Sequence, residues 1–253
     1  MTAAPQHAVP TARPPLTYAD CWNCRGRQSF WLTLHFGYRL GALLALLASR
    51  IGCSPGVVTL LSFLTNAAGV LAVALLDWSP QAEGLLLFLS LQLAYGLDCA
   101  DGVLARVTHR TSTTGFFLDK TADLASALLI PGILGFAAAS SQPSPLPQHL
   151  LPLLLWWSIA PRILLTSLIW IKDSLSAAEK RSIPDPRPPS TSLSLRKAAG
   201  NLIDDITFRS ALALSWATSS YWLFVLIFHS LCFLFALSYA AKTIRHLRSS
   251  ASS

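Results

Sequence analysis

Long apolar runs separated by short polar segments dominate this chain. They lie near residues 57–76, 84–105, 116–139, 150–171, 204–220 and 222–243. A helix needs about 20 mostly apolar residues to cross the hydrocarbon core of a bilayer. The pattern therefore predicts an all-α integral membrane protein with six transmembrane helices. The last two are the hardest to separate. Between Ser210 and Lys242 there is no acid or base, and His229 is the one imidazole. That stretch is too long for one ordinary span and tight for two. A turn near Ser219-Ser220-Tyr221 divides it, with the fifth helix starting around Asp204.

A shorter apolar stretch, 30–50, is interrupted by His35, Arg39 and Arg50 near helical period. Its other side carries Phe30, Leu34, Tyr38, Gly41 and Leu44. This predicts an amphipathic helix lying in the membrane interface; the competing reading is a seventh span. Residues 1–29 are polar and lack an apolar h-region, so no cleaved signal peptide is expected. The segment 174–203 is rich in Ser and Pro, including Pro184, Pro186, Pro188 and Pro189, and reads as a solvated linker. The expected layout is a polar segment 1–29, an interfacial helix and connection 30–54, a membrane domain 55–246 and a tail 247–253. No internal repeat is evident.

Composition agrees with lipid as the solvent. Of 253 residues, 53% are hydrophobic and 12% charged, against about 25% charged in an ordinary soluble domain. The net charge is +7, from 19 Lys and Arg against 12 Asp and Glu. The basic residues flank apolar runs, which points to a membrane surface and not to nucleic acid. The segments 77–83 and 140–149 contain no Lys or Arg, nor does the turn near 219–221. The positive-inside rule then puts both termini, and the loops after the second and fourth spans, in the cytosol. The Ala-, Leu- and Pro-rich composition points to a bacterial inner membrane. The 5 cysteines are scattered and argue against a disulfide framework. Cys21-Trp-Asn-Cys24 is a lone CxxC, only half of a zinc site and without the strand context of a redox motif, so neither function is expected of it.

The chemistry concentrates where the second span ends and the third begins. The second ends Asp98-Cys-Ala-Asp101-Gly102-Val-Leu-Ala105-Arg106, and the third begins Gly115-Phe-Phe-Leu-Asp119-Lys-Thr-Ala-Asp123. Residues three or four apart share a helix face, so Asp98 pairs with Asp101 and Asp119 with Asp123. A turn through the polar residues between Arg106 and Gly115 brings the two helix ends together. Each ionised group inside a span costs about 2.5–3.5 kcal/mol on insertion scales, and converging carboxylates repel. Hard divalent cations such as Mg²⁺ or Mn²⁺ prefer carboxylate oxygens and bind alongside phosphates. Two such ions could clamp a pyrophosphate. Gly102 and Ala105 leave room for a nucleotide, and Arg106 suits bidentate phosphate pairing. The plainer reading is a set of interfacial acids salt-bridged to Arg106, Arg110 and Lys120.

The segment 98–123 resembles the signature of the CDP-alcohol phosphatidyltransferase family, D-x2-D-G-x2-A-R-x8-G-x3-D-x3-D, at every specified position. The layout of six helices from about 55 to 243 after an interfacial helix is similar too. Members often carry Pro-Asn-x-x-Thr-like sequence entering the first span; here Pro55-Gly56-Val-Val-Thr59 has Gly in place of Asn.

The resemblance implies that Asp98, Asp101 and Asp119 bind metal, while Asp123 helps bind metal and acts as general base. It implies that Gly102, Ala105, Arg106 and Gly115 shape the CDP pocket. The expected partners are a CDP-linked lipid donor and a small polar alcohol, in a membrane, with CMP released. Family members are often homodimers. Arg162 and Arg209 are candidates for an acceptor phosphate, with snorkelling or buried structural pairing as the alternative. His229 and the aromatic residues Tyr95, Trp156, Trp157, Trp170 and Trp222 read as packing or interface positions. Three other readings stay open: a CDP-amino alcohol donating its headgroup to diacylglycerol, a non-catalytic channel or transporter, and an inactive relative.

Overall fold

The computed structural model of the chain describes residues 15–26, 31–179 and 205–251. The regular structure is helical throughout, with no strand among the described residues. A short helix α1 (Tyr18–Asn23) precedes α2 (Tyr38–Arg50), which is entered through a π-helical turn at Thr33–Gly37. The long helices α3 (Pro55–Leu75), α4 (Pro80–Val107), α5 (Thr113–Ser141) and α6 (Leu151–Glu179) follow. After them come α7 (Asp205–Ala217) and α8, which is built from Tyr221–Phe224, a π-helical turn Val225–His229 and Ser230–Ala251.

Helix starts follow from local chemistry. Ser54, Ser79 and Ser112 each accept a hydrogen bond from a first-turn amide: Val57, Ala82 and Gly115 respectively. Pro55 and Pro80 stand in the first turn, where a missing N–H costs nothing. The break between α7 and α8 falls at the expected serines. Ser219 takes a left-handed φ of 54° and the chain restarts as helix at Tyr221. The two longest extensions beyond the apolar runs are α6, which continues to Glu179, and α8, which continues to Ala251. Apolarity marks where lipid ends, whereas Leu, Ala, Glu and Lys sustain a helix into water.

Five of these helices are long and apolar enough to cross a membrane: α3, α4, α5, α6 over Gln148–Ile171, and α8 over Tyr221–Arg245. The expected fifth span is described only from Asp205 onward. Its described part, α7, has 13 residues, or about 20 Å at 1.5 Å per residue. Positions 1–14, 27–30 and 180–204, which include most of the Ser/Pro-rich segment and the expected start of the fifth helix at Asp204, and the last two residues lie outside the described residues.

Helix α4 is the hub, with α2, α3 and α7 packed against it; α5 packs on α3 and α6, and α8 on α6. Between helices in lipid, small residues permit the close approach that van der Waals packing needs. Helix α2 buries Tyr38, Gly41, Ala42, Ala45, Leu46 and Ala48 and exposes Arg39 and Arg50. Leu43 and Leu47 are exposed beside those arginines. A Cβ on Gly84 would lie 2.4 Å from Ala217 Cβ and 2.9 Å from the Ala213 carbonyl oxygen. That contact fixes the spacing of α4 and α7. At Gly132 the nearest atom is Ile159 Cδ1 at 3.6 Å, an ordinary contact.

Opposite signs follow for two alanine substitutions. Gly→Ala in a helix interior gains up to about 1 kcal/mol from backbone entropy alone. Gly132→Ala is expected to raise the melting temperature in detergent or leave it unchanged. Gly84→Ala is expected to lower it, because overpacking typically costs about 1–3 kcal/mol. A Gly84→Ala protein at least as stable as wild type would contradict the packing described.

Candidate functional site

The last turns of α4 carry Asp98, Asp101, Gly102, Ala105 and Arg106, and the first turns of α5 carry Gly115, Asp119 and Asp123. The connection is a tight reversal. The Arg110 amide donates to the Ala105 carbonyl at 2.8 Å, and His109 takes a left-handed φ of 55°. Ser112 then caps α5 by accepting from the Gly115 amide at 2.9 Å. Gly115 thus sits in the capping turn. Helix α3 packs on both α4 and α5, so the two motif helices share a common support.

Three of the four sequence-predicted aspartates meet there. Asp98, Asp119 and Asp123 each offer a carboxylate oxygen, all within 4.8 Å of one another, and all three residues are half-buried. Asp101 is buried and lies outside that triplet, with its carboxylate taking a hydrogen bond from the Thr59 hydroxyl on α3. The Thr59 hydroxyl is also 3.2 Å from the Pro55 carbonyl. Lys120 places its Nζ 3.1 Å from Asp119 and 2.8 Å from Asp123. Of the three cations in the plain salt-bridge reading, Lys120 therefore does reach the acids. Arg106 instead donates from Nε to the Cys24 carbonyl at 2.5 Å.

A polar chain runs beneath the acids. The hydroxyls of Thr33 and Tyr95 share a 2.8 Å hydrogen bond, and Tyr95 lies one turn before Asp98. The buried Arg209 guanidinium stands 5.4 Å from the Tyr95 ring. It donates from Nη1 to Asn66 Oδ1 at 2.8 Å and to the Leu91 carbonyl at 2.9 Å. Asn66 reaches Ser126, one turn past Asp123, at 3.5 Å. The chain thereby joins the π-helical turn before α2 to four helices, α4, α7, α3 and α5. Arg162 forms an ion pair with Asp205 at the start of α7, and its guanidinium lies 4.3 Å above the Phe208 ring. Both sequence-predicted arginines thus have protein partners. His229 packs among Phe208, Phe224 and Phe228.

The donor set suits a hard cation. Three carboxylates with facing oxygens are opposed, among the described residues, by a single ammonium at contact distance. Oxygen-only donors at this spacing are what Mg²⁺, Mn²⁺ and Ca²⁺ take, and soft metals do not. The residues that sequence reasoning did not single out are Asn66, Ser126 and Asp205. Each is joined to its partner across long sequence separation and no local pattern announces it. Thr59 was visible in the motif entering α3, but its bond to Asp101 was not.

Two comparisons bear on this arrangement. The sequence profile of a family described as CDP-alcohol phosphatidyltransferase matches residues 53–227. An archaetidylinositol phosphate synthase from Aeropyrum pernix is 39% identical over 99 residues, which is 39% of this chain and 48% of the relative. The aligned stretch therefore spans about half of that relative's length.

The Thr59 bond is testable by metal binding. Thr59→Val removes the hydroxyl and keeps the shape, freeing the Asp101 carboxylate to turn. Loss of an outer partner of a ligand costs about 10–100-fold in metal affinity. Mn²⁺ titration of the purified protein should show such a loss for Thr59→Val and near-normal affinity for Thr59→Ser. Equal affinity in Thr59→Val and wild type would remove Thr59 from the site.

Proposed function

The chain belongs to the CDP-alcohol phosphatidyltransferase family, and on that premise we propose that it moves a phosphatidyl group from a CDP-linked lipid to the hydroxyl of a small polar alcohol, with release of CMP. The observation that carries this reading is the convergence of Asp98, Asp119 and Asp123 at the end of the α4–α5 hairpin. Asp98, Asp119 and Asp123, with Asp101 held ready by Thr59, are the residues that would hold Mg²⁺ or Mn²⁺. Two such ions fit the number of carboxylates. When bound, they would supply charge stabilisation for the pyrophosphate and the leaving CMP.

The chain's own groups then have separable tasks. Gly102, Ala105, Arg106 and Gly115 shape the pocket for the CDP moiety. The acceptor oxygen attacks the phosphorus on the lipid side of the pyrophosphate, the bond to CMP breaks, and Asp123 takes the hydroxyl proton. A positioned base contributes about 10²–10⁴-fold. The half-buried Asp123 is close enough to Asp98 and Asp119 to share their ligand, and its Oδ2 takes a 2.8 Å contact from Lys120 that the acceptor hydroxyl would replace.

For the acceptor we favour a phosphorylated polyol, since the product named for the Aeropyrum pernix relative is archaetidylinositol phosphate. Arg162 and Arg209 are the cations within the helices that would receive its phosphate. For Arg162 this means exchanging Asp205 for the acceptor, an ion pair set at the mouth of α7. That relative's name also favours a CDP-lipid donor over a CDP-amino alcohol. In the membrane, α7 is proposed as a short sixth pass and α2 as a helix along the interface. The aspartate end and both termini then face the cytosol, and composition alone suggests a bacterial inner membrane.

Asp123→Asn is expected to bind CDP as wild type does while turnover falls by about 10²-fold or more. CMP release should stop on thorough chelation with EDTA and return with Mg²⁺ or Mn²⁺. Labelled CDP-diacylglycerol, and not labelled CDP-choline or CDP-ethanolamine, should be consumed. Near-normal turnover by Asp123→Asn would remove the base, and activity in EDTA would remove the metal. Separately, tags on the two termini should become accessible to protease on the same side of sealed vesicles; opposite sides would refute the six-pass arrangement.

A further inference from the structure

Ahead of the family-matched region, which begins at residue 53, the short helix α1 makes a contact that none of the roles above uses. A six-residue helix has little stability of its own, and α1 is fastened at both ends. Thr17 and Asp20 form a reciprocal capping box: the Thr17 amide and hydroxyl donate to the Asp20 carboxylate at 2.8 and 2.7 Å, and the Asp20 amide donates back. Those bonds, the one from the Thr17 hydroxyl foremost, hold the Asp20 carboxyl below its usual pKa, so the box is intact at neutral pH. Cys21 is fully buried against the cluster that contains Tyr38, Val103 and Leu104. At its far end α1 presents the Cys24 carbonyl to Nε of Arg106. The guanidinium lies back over Gly102, where an added Cβ would sit 3.2 Å from Nη1 and 3.5 Å from Nη2.

We propose that α1 is a positioning element of the site, which through the Cys24 carbonyl holds the Arg106 guanidinium over Gly102 in the orientation that meets the donor's phosphate. An arginine on the last turn of a helix at the membrane surface has several rotamers open to it. Tying Nε to a fixed carbonyl leaves the two Nη groups as a preset fork, the geometry that suits bidentate phosphate recognition. Lysine has no Nε–H and cannot be held in this way. The proposal rests on the functional reading above, in that the phosphate is taken to be that of CDP.

The test is a double-mutant cycle on the full-length purified chain, read as the dissociation constant for CDP, with melting temperature as a control for folding. One arm undocks α1 with Thr17→Ala/Asp20→Ala; Cys21→Asp undocks it by a second route. The other arm is Arg106→Lys. Undocking α1 should weaken CDP binding by roughly fivefold to tenfold, the scale of one charge-assisted hydrogen bond at a half-exposed site. Arg106→Lys should give a similar loss, and undocking α1 in the Arg106→Lys background should add less than about twofold. Losses that multiply across the cycle, or no loss on undocking α1 by either route, would overturn the clamp. A wild-type chain that binds no CDP would overturn the functional reading and the clamp together, whereas multiplied losses in a CDP-binding protein would overturn the clamp alone.

Discussion

Carboxylates forced together at the end of a helical hairpin repel one another, and the surrounding structure is organised to contain that repulsion. Asp98, Asp119 and Asp123 have oxygens within 4.8 Å of one another at the edge of an apolar bundle. Lys120 answers two of them directly. Asp101 is turned aside onto Thr59. One turn deeper, the buried Arg209 supplies a fixed positive charge under Asp98, itself satisfied by Asn66 and the Leu91 carbonyl. A half-satisfied polar network in a low-dielectric interior costs more than an apolar core would. Here the groups from Thr33 to Ser126 are linked, which makes the network a scaffold for the acids above it.

The same arrangement explains why the helices stand where they do. Helix α3 supplies Thr59 to one motif helix and Asn66 to the polar chain that reaches the other, so the hairpin opens no further than α3 allows. Helix α7 is held to α4 by the close contact at Gly84 and by Trp216, whose indole donates to the buried Glu83 carboxylate at 2.7 Å. That clamp lies at the end of α4 remote from the aspartates. It fixes the register at which Asp205 meets Arg162 and Arg209 meets Asn66. The site is therefore a rim feature of a bundle pinned at both ends.

Much of this was legible along the chain, because lipid imposes a coarse length rule and the motif a fine spacing rule. Apolar runs located the five helices long enough to cross a membrane; the three- and four-residue spacings located the acid pairs; Ser219-Ser220 located the break before α8. What stayed hidden depended on contacts between distant residues. Thr59 and Asp101, or Arg209 and Asn66, carry no mutual sign in the sequence. Asp101 was expected among the converging acids, yet its hydroxyl partner directs it elsewhere. Helix α1 is too short for periodicity to register, although Thr17-Tyr-Ala-Asp20 is a local capping signal.

Divalent-cation binding by the converging carboxylates is tested by Mn²⁺ titration of the purified chain followed by electron paramagnetic resonance. Saturable binding is expected for wild type, with affinity falling by at least about tenfold in Asp98→Asn and in Asp119→Asn. Absence of binding by the folded wild-type protein, or single replacements that leave the affinity unchanged, would contradict it.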